Sequence, residues 1–240
     1  MDKVAFVTGA DHGLGLSLTR WLLGKGYRVF AGRYNEEWLF LEELKSMYPE
    51  KLELVKLDVG TDKSVEAAAS FIESKTSYID LIINNAGIID QAKNSTILEA
   101  QDFEAMKQLF NVNSLGALRV TNHLVELLLK GDTKLVVNIS SEAGSIKRNH
   151  RTNWYGYCMS KAALNMQSAI LHQHLLSLGG QVLVFHPGWM QTYMEGFLYE
   201  EATYSPDAAA NKIMNLVLNH KRFLAEEPAF IDLEGEAWPW

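Results

Sequence analysis

Tyr157 and Lys161 stand four residues apart in YCMSK (157–161), inside a stretch with helix-like spacing of apolar residues. On a helix an i, i+4 pair projects from one face. An unperturbed tyrosine titrates at about pH 10, too high to act as a base near neutrality. An ammonium group on the same face favours the phenolate and is expected to lower that value. Such a pair can give a proton to an oxygen that is gaining charge, or take one back. Alone, the same spacing also describes a tyrosine packed on a core and a lysine reaching for solvent. The neighbours of the pair favour chemistry. VNISSEAG (137–144) closes an apolar run with two hydroxyls, Ser140 and Ser141, which are donors suited to polarising a substrate oxygen.

A second constellation lies at the start of the chain, where TGADHGLG (8–15) follows an apolar run and opens a helical pattern. Gly9 permits a tight turn, and Gly13 and Gly15, with Leu14 between them, let backbone approach a ligand closely. The helix start then presents unpaired N–H groups and a positive dipole end to a pyrophosphate.

Residues so placed need a frame. Short β-rich runs at 3–8, 27–32, 52–59, 79–84, 134–140 and 181–186 alternate with helical patterns near 13–25, 35–47, 61–74, 102–130 and 156–177. The runs are mostly continuous rather than alternating in polarity, as strands buried on both faces are. A helix near 206–219, with Ser205 as its cap and Pro206 in its first turn, leads to AFIDL as a last strand. Strand and helix in alternation predict an α/β, doubly wound parallel sheet of the Rossmann type, with helices on both faces and ligands at the carboxyl ends of the strands. No linker or repeat divides residues 1–240, so one domain is expected.

Composition narrows the partners. With 22 Lys and Arg against 29 Asp and Glu, the net charge of −7 leaves no basic stripe for nucleic acid. A single cysteine, Cys158, cannot form an internal disulfide, which suits a reducing, cytoplasmic setting. The apolar run Val4–Val7 is too short for a signal sequence or membrane span, so a soluble chain with no membrane partner is expected.

The G-x-x-x-G-x-G spacing after Thr8, then NNAG (84–87), NVNSLG (111–116), VNISS (137–141), YCMSK (157–161) and HPGWMQT (186–192), all in order, resemble the short-chain dehydrogenase/reductase family over nearly the whole chain. PGWMQTYMEG, SPDAAA and FIDLEGEAWPW are similar to its small carbonyl-reductase branch, related to sniffer and C-factor proteins. The resemblance implies a seven-stranded sheet and a nicotinamide cofactor. It implies Ser141, chosen over Ser140 by register through Gly144, as the substrate-polarising hydroxyl. It makes Tyr157 the acid/base, Lys161 its partner and a holder of the nicotinamide ribose, and Asn113 the holder of a relay water.

For the cofactor, the resemblance implies contacts from Asp58 to adenine, from Asn85, Ala86 and Gly87 on the adenosine side, and from Pro187, Gly188 and Thr192 at the nicotinamide. The second strand ends in Gly32-Arg33 where a carboxylate for a ribose 2′-hydroxyl is usual. A guanidinium suits a 2′-phosphate, so NADP(H) is expected over NAD(H), with His12 in a position where family NADP enzymes carry a basic residue. No metal is called for.

The interval from Ser141 to Tyr157 exceeds the family's by a few residues. The extra length lies in SIKRNHRTNWYG, read as a solvated loop whose Lys147, Arg148 and Arg151 could instead attract an anionic substrate. Little chain separates Thr192 from Ser205, which predicts an open pocket for small carbonyls or alcohols, walled by Trp154, Tyr155, Trp189 and Tyr193. The expected activity is hydride transfer between nicotinamide and a carbonyl or secondary alcohol. The competing reading is a catalytically silent dinucleotide sensor or signalling protein on the same fold. Epimerase or dehydratase chemistry would need a larger substrate domain. The long patterns at 102–130 and 156–177 are compatible with a homodimer or homotetramer.

Overall fold

The computed structural model describes residues 2–90, 94–194 and 196–240. Seven strands form one parallel sheet: β1 (Val4–Val7), β2 (Arg28–Arg33), β3 (Leu52–Lys56), β4 (Leu81–Asn84), β5 (Leu135–Ile139), β6 (Gln181–Phe185) and β7 (Ala229–Ile231). Their order across the sheet is β3-β2-β1-β4-β5-β6-β7. The chain reverses its direction of winding between β1 and β4, and this is where a crevice opens beyond the strand ends.

The central strands are apolar on both faces because both faces are covered, whereas the edge strand β3 carries Glu53 and the exposed Lys56. Along β1, Ala5 and Val7 pack with Leu18 and Leu22 of α1 (Gly13–Gly24), Leu41 of α2 (Phe40–Met47) and Ile213 of α7 (Pro206–Leu218). Val4 and Phe6 point the other way, towards Ile72 of α3 (Asp62–Glu73), Leu124 of α5 (Ala117–Leu129) and Leu175 of α6 (Tyr155–Leu176). Phe6, Phe30 and Phe185 are fully buried, and each such side chain contributes about 1.5–3 kcal/mol relative to exposure. Ser205 caps α7 through the N–H of Ala208, with Pro206 in the first turn, as the sequence predicts.

Two elements depart from the sequence reading. The single helix expected over 102–130 is α4 (Phe103–Phe110), a π-helical segment Asn111–Gly116, and then α5. The widened turn serves two loops at once. Asn111 Nδ2 donates to the carbonyl of Gly60 (2.8 Å), whereas Asn113 bonds the backbone of Ile88. Widened turns of this kind are concentrated at functional sites. The helix expected from residue 35 begins only at Phe40. Asn35 accepts the N–H of Glu37 in a local turn, a bond that competes with helix, and Trp38 stacks on His12 instead of continuing one.

Candidate active site

The crevice floor is built from the loops after β1 and β4. Thr8 Oγ1 accepts the N–H groups of Asn85 and Ala86, both at 3.0 Å. Asn85 Nδ2 returns bonds to the carbonyls of Thr8 (3.0 Å) and Gly9 (2.9 Å). The Asn85 amide therefore staples two loops together. Gly9 and Gly13 take φ of +61° and +57°, which side-chain-bearing residues seldom adopt. At Gly15 a Cβ would lie 2.1 Å from the Gly9 carbonyl oxygen and 2.6 Å from Asn85 Nδ2. Leu14 buries its side chain in the core, leaving its backbone for the site. His12, at the N-cap of α1, makes no side-chain cap bond, so the N–H groups of the first turn open into the crevice. This is a cradle of the type that takes phosphate groups.

The turn after β5 brings the hydroxyls to α6. Ser141 caps the short turn Glu142–Gly144 by accepting the N–H of Ala143 (3.2 Å) and also hydrogen bonds with the Tyr157 hydroxyl. That turn sits directly on α6. A Cβ on Gly144 would come within 2.9 Å of the Lys161 carbonyl carbon and of Asn165 Nδ2. Ser140 points elsewhere, donating to Asn165 Oδ1 at 2.6 Å in the buried interior. Of the two serines, Ser141 is the one beside Tyr157.

Lys161 is buried, donates from Nζ to the carbonyl of Ile139 (3.0 Å), and lies 5.8 Å from the centre of the Tyr157 ring. Asn113 is held by three bonds: its Oδ1 accepts from Ile88 N (2.7 Å), and its Nδ2 donates to Ile88 O (2.9 Å) and Ser160 Oγ (3.0 Å). A Cβ on Gly87 would lie 3.3 Å from Asn113 Oδ1 and 3.5 Å from Lys161 Nζ, so these three residues share one small space.

Burial governs the ionisation here. It pushes the Tyr157 hydroxyl up to about 12, opposed by the hydrogen bond from Ser141 and aided by the Glu142 charge. It pulls Lys161 down to about 8. The sequence reading had the lysine lowering the tyrosine. In the folded protein desolvation of both groups outweighs that attraction, because each loses water and Nζ is occupied by a main-chain carbonyl.

At the far end of the crevice, Arg33 closes β2 and its Nη1 contacts Glu42 Oε1 of α2. His12 stacks on Trp38 with centroids 4.8 Å apart, and burial lowers its pKa, opposed by Asp11. That shift favours the neutral imidazole over its cation. Asp58 Oδ1 accepts the N–H of Gly60 (2.8 Å) in the turn after β3. Past β6, Pro187 is buried, Gly188 (φ +73°) packs against Tyr204, and Thr192 lies over Gly13.

The loop read as solvated is exposed over 146–150 and is tied down by its arginines. Arg151 grips Glu142 with both terminal nitrogens and lies 5.0 Å from the ring centre of Trp154, while Arg148 lies over Trp238 (4.3 Å). Trp154 itself adopts a left-handed φ of +62° and meets the Tyr157 ring edge-on at 5.9 Å. Such strain in a non-glycine residue recurs at functional sites. Of the other expected wall residues, Tyr193 and Trp189 are half exposed against Trp38 and Tyr199. Tyr155 lines a separate hollow with Asp90, Gln101 and Met106. The Glu142–Arg151 and Arg33–Glu42 pairs escaped the sequence reading because they join residues across loops with no periodicity. The staple of Thr8 carried a signal, since a hydroxyl at the end of a buried strand needs partners.

Residues 3–203 match the pattern of the short chain dehydrogenase family. The chain belongs to this family. Human retinol dehydrogenase 16 is 34% identical over 193 residues, covering 80% of this chain and 58% of that protein. Rat estradiol 17-beta-dehydrogenase 2 is 32% identical over 197 residues, covering 81% of this chain and 50% of that protein. The alignments thus span half to three fifths of these relatives' lengths, and both relatives are named as dehydrogenases. Among solved structures, the NADPH-bound carbonyl reductase from chicken fatty liver superposes with a TM-score of 0.87 at 29% identity, covering 100% of this chain and 99% of that one. The carbonyl reductase Sniffer of D. melanogaster shares the fold, with a TM-score of 0.87 at 24% identity and 100% of both chains covered. Among the described residues of this short-chain dehydrogenase family member, no helix is long and apolar enough to cross a membrane.

Proposed function

We propose that this protein is an NADP(H)-dependent oxidoreductase that interconverts a small carbonyl compound and its secondary alcohol, with Tyr157 as the general acid/base. The observation that carries the reading is the meeting of three groups from two elements. The Ser141 hydroxyl bonds the Tyr157 hydroxyl, and the Lys161 ammonium lies beside the same buried ring. Cofactor fit rests on the cradle of Gly9, Gly13, Leu14 and Gly15, where a Cβ at Gly15 would collide with backbone. Asp58, Asn85, Ala86, Gly87, Arg33 and His12 border the adenosine side of that cradle, and Pro187, Gly188 and Thr192 its other side. When bound, the nicotinamide supplies or accepts the hydride.

The residues of the chain manage the proton and the oxygen. Ser141 orients the reacting oxygen next to Tyr157, which gives a proton in the reductive direction and recovers it in the oxidative one. With burial raising its pKa to about 12, Tyr157 is protonated at neutrality and can act as the donor in reduction. Lys161 and Asn113, both buried around Gly87, hold the proton path and the ribose end. Substrate enters past the partly buried Trp154 and the exposed Trp189 and Tyr193, whose rings favour apolar carbonyl compounds. The test is a panel of carbonyls with NADPH and of alcohols with NADP, followed by absorbance of the reduced nicotinamide. Turnover lost on Tyr157→Phe supports the reading. A panel with no turnover, by a protein that binds NADPH, would refute it.

A further inference from the structure

Arg33 is not a free cation. Its side chain is 18% exposed and Nη1 contacts Glu42 Oε1. The other oxygen of that carboxylate, Glu42 Oε2, is buried without a hydrogen-bond partner among the described residues. A second carboxylate stands at the same strand end. Asp11 is buried, and its Oδ2 accepts the N–H of Tyr34 (3.0 Å), while its Oδ1 has no partner among the described residues. The glycine loop and the end of β2 are joined by a further bond from Ala10 N to Gly32 O (2.8 Å), which keeps Asp11 next to the Arg33–Tyr34 segment. The late start of α2 places Glu42 in its first turn, where the helix dipole favours a carboxylate and its reach back to β2 is short.

We propose that Glu42 determines nucleotide selectivity by occupying the guanidinium that a ribose 2′-phosphate would otherwise take. The inference rests on the reading that this end of the crevice receives the adenosine ribose. A 2′-phosphate must displace Glu42 from Arg33 Nη1 or share the guanidinium with it, a like-charge contact in either case. Asp11 adds a second negative group, and His12 is too poorly basic to offset either. A 2′-hydroxyl meets none of this, because it can donate to a carboxylate oxygen and leave Arg33 paired. The pair therefore narrows the preference for NADPH over NADH that Arg33 alone would confer.

The test is equilibrium binding of NADPH and NADH, by fluorescence, to wild type, Glu42→Gln, Arg33→Gln and the double variant. Adenosine 2′,5′-bisphosphate and AMP serve as probes that lack nicotinamide. Glu42→Gln is expected to tighten NADPH and the bisphosphate by about tenfold, the worth of one released charge-assisted contact, while NADH and AMP stay within about twofold. In the Arg33→Gln background the same substitution should tighten NADPH by clearly less than in wild type, because only the like-charge contact remains to be relieved and no guanidinium is released. Melting temperatures exclude a folding defect, and Glu42→Ala replaces Glu42→Gln if that variant is unstable. Unchanged or weaker NADPH binding in a folded Glu42 variant overturns the proposal and leaves the cofactor reading standing. Failure of wild type to bind either dinucleotide overturns both.

Discussion

Replacing Tyr157 by Phe deletes one oxygen from a ring that is 8% exposed and held edge-on by Trp154. The ring contacts survive, so the cost to stability is the lost hydrogen bond with Ser141. Ser141 still accepts the N–H of Ala143, which limits the loss to about 1 kcal/mol or less. In a chain of this size that moves Tm by no more than about 2–4 °C. Chemistry is affected far more, because the proton donor beside the reacting oxygen is gone. General acid catalysis is worth about 10²–10⁴ in rate, and the variant should lose at least that. The assay is carbonyl reduction at saturating NADPH, with Tm and NADPH affinity measured on the same samples. Retention of more than about a tenth of the wild-type rate, below the range expected for such a donor, would refute the reasoning. Tyr155 would then be tested by the same substitution, although it lines the hollow with Asp90 and Met106.

Ser141→Ala should lower turnover by about 10²-fold, whereas Ser140→Ala, which empties a buried bond to Asn165, should cost about 1–3 kcal/mol of stability with a smaller effect on rate. The reverse pattern would put the reactive hydroxyl at Ser140. Gly15→Ala should abolish NADPH binding in a fluorescence titration, since its Cβ would lie 2.1 Å from the Gly9 carbonyl; near-normal affinity would show that the loop adjusts. Lys161 is lowered from 10.5 to about 8 by burial, so between those values the unfolded chain holds a proton that the folded chain does not. Stability should therefore rise with pH across that window, and the difference between wild type and Lys161→Met should shift in favour of wild type by about 3 kcal/mol. Denaturant titrations at both ends of the window measure it, and a flat difference would mean the lysine stays hydrated.

The strands, their parallel arrangement and the glycine loop were legible in the sequence because they depend on local rules. Strands buried on both faces must be apolar throughout, as in Ile82–Ile83 and Val136–Val137, and a backbone with φ near +60° calls for glycine, as at Gly9 and Gly13. The i, i+4 relation of Tyr157 and Lys161 is likewise helix geometry, readable before any packing is known. The partner of each side chain was not legible. Asn85 had a motif but no direction, and only the crossing of two loops made it a staple for Thr8 and Gly9. The 102–130 stretch had one helical period, yet contacts to Gly60 and Ile88 from other loops widened its middle turn. The basicity of Tyr157, Lys161 and His12 was set by loss of water, a property of the assembled interior that no spacing encodes. Arg33 read as a cation waiting for phosphate, but the late start of α2 brought Glu42 to it, and only tertiary structure could pair them.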